Sequence, residues 1–268
     1  MSEGKTLYKV IDDHNDNCFV IPTMYKDWFL KQPYYNFIQE NNLGDLILIE
    51  DHSKQFCFSK SMNMGIQEAL KEEYKIITLS VDDVSFSQPQ KIFEIYNNLK
   101  QLQTDNFVYA PKILNNDIDS HINKYSITNS GIKYLFLQTT LNVLQIYAFK
   151  KWNEYRKRKL SPFFVYRDEK NGFLNIMPYG IFSRYILENY QFDEKIKNSF
   201  EDSDLAYRLY RDNIVVKEID VEVIHSGSSF SKINKVNSLS GAYDVQDYSN
   251  NINYLYRKYY SILEGISK

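Results

Sequence analysis

Short apolar segments that each end in a polar or acidic cluster constrain the fold of this chain more than any other feature. Cys18 to Pro22 (Cys-Phe-Val-Ile-Pro) and Leu46 to Ile49 are continuous apolar runs, the pattern of strands covered on both faces. They lead into Thr23 and into Glu50-Asp51-His52-Ser53. A third strand, Ile76 to Val81, ends at the pair Asp82-Asp83, and a fourth spans Phe107 to Ala110. Helical sequence separates them. Trp28, Leu30, Tyr34, Phe37 and Ile38 recur at helical spacing, with Pro33 marking a break or a late start. Ser61 to Tyr74 has helical character, and Pro89 opens a helix whose apolar face is Ile92, Phe93, Tyr96, Leu99 and Leu102. Strands alternating with helices predict an α/β, Rossmann-like fold with a mostly parallel central sheet flanked by helices. Ligands bind beyond the carboxyl ends of such strands, so the polar clusters are expected to converge on one crevice.

The chain has 268 residues, enough for one large α/β domain or two small ones and for a sizeable core. Its net charge of -2 removes the electrostatic case for nucleic acid. Two cysteines, Cys18 and Cys57, are too few for a disulfide framework, and the opening Met-Ser-Glu-Gly-Lys lacks the apolar stretch of a signal peptide. The cytoplasm is therefore the expected compartment. Ile132 to Phe149 is apolar-rich but interrupted by Lys133, Gln138, Asn142 and Gln145, which falls short of a transmembrane helix. Six basic residues follow between Lys150 and Lys159. Core packing is the plain reading of that segment; peripheral contact with an anionic membrane is the alternative. Further on come Gly180 to Leu187, a helix from Glu201 to Leu209, a strand from Val221 to Ile224 ending at His225, and a Tyr-rich helix from Tyr254 to Leu263.

Two adjacent carboxylates after a buried strand repel unless they are solvated or share a cation. Asp82-Asp83 is therefore either a turn or cap, or a site for Mg²⁺ or Mn²⁺ that also takes diphosphate oxygens. Glu201-Asp202-Ser203-Asp204 puts three acids in a first helical turn. They complement the helix dipole, or one of them acts as a general base toward an acceptor hydroxyl. His225, followed by Ser226-Gly227-Ser228-Ser229, is either structural or a contact to metal or diphosphate.

In order along the chain these pieces resemble family 2 glycosyltransferases of the GT-A fold, particularly their rhamnosyltransferase-like branch. Phe-Val-Ile-Pro-Thr-Met-Tyr resembles the opening strand and nucleotide loop, and Ile-Leu-Ile-Glu-Asp-His-Ser the second strand, with Glu50 where an aspartate usually meets the nucleobase. Ser-Met-Asn-Met-Gly carries the familiar Asn63 and Gly65, and Leu-Ser-Val-Asp-Asp resembles the metal-binding strand end. Tyr-Ala-Pro-Lys-Ile-Leu follows, then Tyr-Gly-Ile-Phe-Ser-Arg with Phe-Asp-Glu, Glu-Asp-Ser-Asp-Leu, His-Ser-Gly-Ser-Ser and the final Tyr-rich stretch. The resemblance spans roughly Phe19 to Tyr260.

It implies a metal-dependent, inverting transfer of a sugar from a UDP-, GDP- or dTDP-linked donor to a glycan, lipid-linked or protein acceptor. Asp202 would be the catalytic base. Asp82 or Asp83, with His225, would hold Mn²⁺ or Mg²⁺, and Pro22, Thr23, Tyr25, Glu50, Asp51, Ser53, Asn63, Asp82 and Glu201 would line the donor site. Residues 1–232 would form the GT-A domain, with 115–171 an acceptor-side insertion and 233–268 a helical extension packed on the same domain. The metal motif of the family often has an acid or asparagine two residues before the ligand; this chain has Ser80 or Val81 there. That departure keeps open a non-catalytic GT-A-like protein that binds nucleotide sugar or glycan. A sugar-1-phosphate nucleotidyltransferase is disfavoured, since no glycine-rich loop with a following arginine and lysine comes after the first strand.

Overall fold

The computed structural model describes residues 4–11, 15–52, 56–99, 106–115, 151, 155, 176–197, 200–225 and 245–264. Its strands are β1 (Lys5–Ile11), β2 (Asn17–Thr23), β3 (Asp45–Asp51), β4 (Ile76–Ser80), β5 (Val84–Phe86), β6 (Val108–Asn115), β7 (Tyr179–Ser183) and β8 (Val216–His225). The helices are α1 (Lys26–Phe29), α2 (Pro33–Glu40), α3 (Phe58–Lys71), α4 (Pro89–Leu99), α5 (Arg184–Asn189), α6 (Glu201–Arg211), α7 (Val245–Lys258) and α8 (Tyr260–Leu263). Pro33 resolves as a late start: it sits at the first position of α2, where its missing N–H costs nothing.

Among the described residues the strands form one eight-stranded sheet in the order β1-β3-β2-β4-β7-β6-β8-β5. The expected α/β class holds, but the sheet is mixed rather than mostly parallel. Three neighbouring pairs, β2/β3, β2/β4 and β6/β8, are parallel; four, β1/β3, β4/β7, β6/β7 and β5/β8, are antiparallel. The physical reason lies in β7, which inserts between β4 and β6 and runs against both. Two reversals restore the direction, so β2, β3, β4, β6 and β8 all point the same way. Their carboxyl ends, at Thr23, Asp51, Ser80, Asn115 and His225, lie along one edge of the sheet.

Burial on both faces explains why the central strands read as apolar runs. Val20, Ile47, Ile49, Ile77 and Leu79 pack toward Met62, Ile66 and Ala69 of α3, Ile186 and Leu187 of α5, and Leu205 and Leu209 of α6. The alternating residues Phe19, Ile21, Leu46, Leu48 and Ile76 pack toward Phe29, Ile38 and, from α4, Ile92, Tyr96 and Leu99. Phe93, expected on the buried face of α4, is instead 42% exposed, because that helix turns only a narrow stripe inward; Leu102 lies outside the described residues. α7 belongs to a third cluster, in which Ile252, Leu255 and Tyr256 meet Ile196 and Tyr207. No helix among the described residues is long and apolar enough to cross a membrane, and Ile132 to Phe149 falls outside them.

Gly65 sets how closely α3 approaches the sheet. A Cβ there would run into the side chains of Val20 and Ile49, both fully buried. Gly65→Ala is therefore expected to destabilise the protein by about 1–3 kcal/mol, the usual cost of overpacking a filled core. Urea unfolding checks this, and a midpoint equal to wild type would contradict the close approach.

Candidate functional site

The shared strand direction gathers the predicted acids where a ligand would bind, and a line of contacts runs across them. His52 Nε2 lies 3.2 Å from Glu50 Oε1, which also accepts a 2.8 Å hydrogen bond from the Lys26 backbone N–H. The Tyr8 hydroxyl donates to Glu50 Oε2 at 3.2 Å, and Lys26 Nζ stands 4.2 Å above the Tyr8 ring. Tyr25, 40% exposed, meets the His52 ring edge-on at 5.4 Å. The Tyr25 backbone N–H in turn lies 3.3 Å from Thr23 Oγ1, and Thr23 Oγ1 donates to Asp82 Oδ2 at 2.6 Å. Next along the edge, Asp83 Oδ1 is 3.2 Å from His225 Nε2, where β5 returns antiparallel to β8 and pairs Val84 with His225. Pro22 is buried in β2 opposite Ile49.

The two adjacent aspartates thus turn apart, Asp82 toward β2 and Asp83 toward β8. Burial pushes the Asp82 carboxyl up to about 7; the Asp83 charge adds to the rise, while Thr23 and His225 oppose it. Among the described residues no cluster of three or more His, Cys, Asp or Glu side chains is arranged to hold a metal ion. A closed protein cage is not what Mg²⁺ or Mn²⁺ requires, because one or two carboxylates suffice when substrate phosphates and water supply the other ligands. The donor set fits that mode: two hard carboxylates, one of them disfavoured as an anion until a cation approaches.

The first turn of α6 lies close to the start of α3, where burial raises the Cys57 thiol and the Glu201 charge adds to the rise. The helix starts near α3's first turn, where Ser59 Oγ donates to the Ile196 carbonyl at 2.6 Å, and it runs back toward the start of β8. Phe200, just before it, adopts φ 68°, a left-handed conformation a bulky residue enters only under constraint. The three acids then separate by environment. Asp204 is fully buried and accepts from Arg208 Nε at 2.9 Å, Lys258 Nζ at 2.7 Å and the Tyr259 hydroxyl at 2.6 Å. Asp202 is half-buried, and its Oδ1 accepts from the Ser203 N–H at 2.7 Å. Burial, then the Asp202 charge, pushes the Glu201 carboxyl up to about 8, and its buried Oε2 has no hydrogen-bond partner among the described residues.

Two expected donor-site residues are held in structural contacts. Asp51 is fully buried, paired with Lys5, and accepts from Ser61 Oγ at 2.8 Å, so it ties β1, β3 and α3 together. Asn63 Nδ2 donates to the Phe192 carbonyl at 2.9 Å while its Oδ1 accepts the Phe192 N–H at 3.0 Å. Ser53, the Ser226 to Ser229 run and most of 115–171 lie outside the described residues. Sequence reasoning missed Tyr8 and Lys26 as neighbours of Glu50, since β1 is half-exposed and lacks an apolar run.

No protein-family model matches the chain, and comparison with curated proteins gives no match. Among solved structures, A197 from STIV aligns with 78% of this chain and 84% of its own at 13% identity and a TM-score of 0.41, a likeness too slight to carry an argument.

The raised carboxyls predict a pH dependence. Asp82 and Glu201 hold protons more tightly folded than unfolded, so their contribution to stability is full below the ordinary carboxylate range and is lost as pH rises through about 7 and about 8. Asp82→Asn is expected to raise the melting temperature at about pH 8 and to leave it nearly unchanged at about pH 4. Differential scanning calorimetry across that range checks it; a variant less stable at both ends would contradict the desolvation argument.

Proposed function

We propose that this chain is a metal-dependent, inverting glycosyltransferase of the GT-A type that takes a UDP-, GDP- or dTDP-linked sugar as donor. The observation that carries the reading is the line of contacts from His52 and Glu50 through Thr23 and Asp82 to Asp83 and His225, laid along the edge to which five strands point. A nucleotide sugar has the same order of parts: a flat base, a ribose, a diphosphate and a hexose. Tyr25 and Glu50 offer an aromatic face and a carboxylate to the base. Thr23 orients Asp82, and Asp82 or Asp83 with His225 would hold Mn²⁺ or Mg²⁺ against the diphosphate. The cation supplies charge stabilisation for the departing nucleoside diphosphate.

On the acceptor side, Asp202 removes the proton of the attacking hydroxyl as that oxygen reaches the anomeric carbon. Glu201 beside it favours its neutral form, so the two adjacent carboxyls need not both carry charge. A single base and a single displacement invert the anomeric centre. The acceptor, a glycan, a lipid-linked sugar or a protein hydroxyl, would enter from that side.

Asp202→Asn is expected to cut turnover by about a hundredfold or more with donor affinity nearly intact, because a general base acts in the transition state. Release of nucleoside diphosphate from a panel of UDP-, GDP- and dTDP-linked hexoses with Mn²⁺ measures it. Donor binding without any turnover in wild type would mark a non-catalytic binder instead. The diverging aspartates generate a second expectation: Asp83→Ala and Asp82→Ala will affect metal-dependent donor binding unequally. Titration calorimetry with and without Mn²⁺ checks it, and equal, small losses would count against a cation at this pair.

A further inference from the structure

The third acid of the α6 turn sits at the centre of contacts from the end of α7 and the residue that follows it. Lys258 Nζ, at the end of α7, reaches Asp204 Oδ1 and Asp193 Oδ2, each at 2.7 Å. Tyr259, between α7 and α8, donates to the same Asp204 oxygen at 2.6 Å, and its ring stands edge-on to Tyr207 with centroids 4.9 Å apart. Arg208 holds the other oxygen and extends Nη2 to the Gln191 carbonyl at 2.6 Å. Asn251 of α7 bonds both ways with the Lys197 backbone, at 2.6 and 3.2 Å, and the Tyr254 hydroxyl donates to Asp193 at 2.7 Å. Burial alone would raise the Asp193 carboxyl; donors from Lys258, Tyr254 and the Lys195 N–H hold it below the usual range.

A buried carboxylate with this many donors fixes the helix that carries it. Two residues along an α-helix are rotated by about 200°, so with Asp204 pinned toward α7, Asp202 is turned to the opposite side. Phe200 accepts the Asp204 N–H at 2.9 Å, which ties its left-handed backbone to the same anchor. We infer that Asp204, Lys258 and Tyr259 are positioning residues: they set the rotation of the α6 first turn and thereby aim Asp202 at the acceptor hydroxyl. This rests on the transferase reading above.

The test is Tyr259→Phe, which removes one hydroxyl and leaves the ring on Tyr207, together with Lys258→Met and the conservative Lys258→Arg. Tyr256→Phe is the control, since its hydroxyl meets Glu264 and not Asp204. With the best donor of the hexose panel and Mn²⁺, Tyr259→Phe and Lys258→Met are expected to lower kcat by about ten- to a hundredfold with donor KM within about twofold, as misplacement of a reacting group does. Lys258→Arg is expected to recover most of kcat, and Tyr256→Phe to match wild type. A wild-type kcat in Tyr259→Phe and Lys258→Met, or KM and kcat failing together, would overturn the inference. Hydrogen exchange of the amides of residues 200–205 separates its failure from that of the transferase reading. If wild type turns over no donor, that reading falls and the role assigned in catalysis falls with it. Faster exchange in Tyr259→Phe then still identifies the anchor, whereas unchanged exchange removes it too.

Discussion

The direction shared by β2, β3, β4, β6 and β8 is the constraint on which the rest of the molecule depends. β2, β3 and β4 are buried on both faces, so most of their side chains are apolar and their acids gather at the strand ends. Because these five strands agree in direction, the ends that carry Thr23, Glu50, Asp82, Asp83 and His225 fall on one edge. Reversing any one of them would strand its polar group on the far side of the sheet. The antiparallel β7 does not disturb this, since it contributes buried Tyr179 to Ser183 and hands the chain to α5 at the opposite edge.

Burial then sorts carboxylates of identical sequence chemistry into different tasks. Asp51 and Asp204 are fully buried and surrounded by donors, the condition under which an ionised group persists away from water. Asp82 and Glu201 are desolvated without equivalent cationic partners among the described residues, so their protons are retained to higher pH. The first pair holds elements together. On the transferase reading, the second meets the cation and the donor.

Much of this was legible in the sequence. The runs at Cys18–Pro22 and Leu46–Ile49 give β2 and β3 because a doubly covered strand has no polar alternation to confuse with a helix, and Pro89 marks the start of α4 directly. Three strands were not legible. β1 is a half-exposed edge, β5 has only three residues, and β7 is recognisable as an antiparallel insertion only from its pairing with β4 and β6. Within Glu201-Asp202-Ser203-Asp204 the sequence offers three acids of similar standing. Which one is structural depends on Lys258 and Tyr259, more than fifty residues away, a separation no local pattern encodes. Asn63 and Asp51 were likewise expected at a donor; Asn63 bonds the Phe192 backbone, and Asp51 bonds Lys5 and Ser61.

On the reading proposed above, the carboxyl edge binds a nucleoside diphosphate together with a divalent cation at Asp82 and Asp83. Crystals grown with Mn²⁺ and each of UDP, GDP and dTDP in turn, with anomalous data collected at the manganese edge, test it most directly. For at least one nucleotide, an anomalous peak in contact with a carboxylate of this pair is expected, with diphosphate oxygens completing the coordination and the base beside Tyr25 and Glu50. Nucleotide bound elsewhere, or manganese bound away from both aspartates, would contradict it.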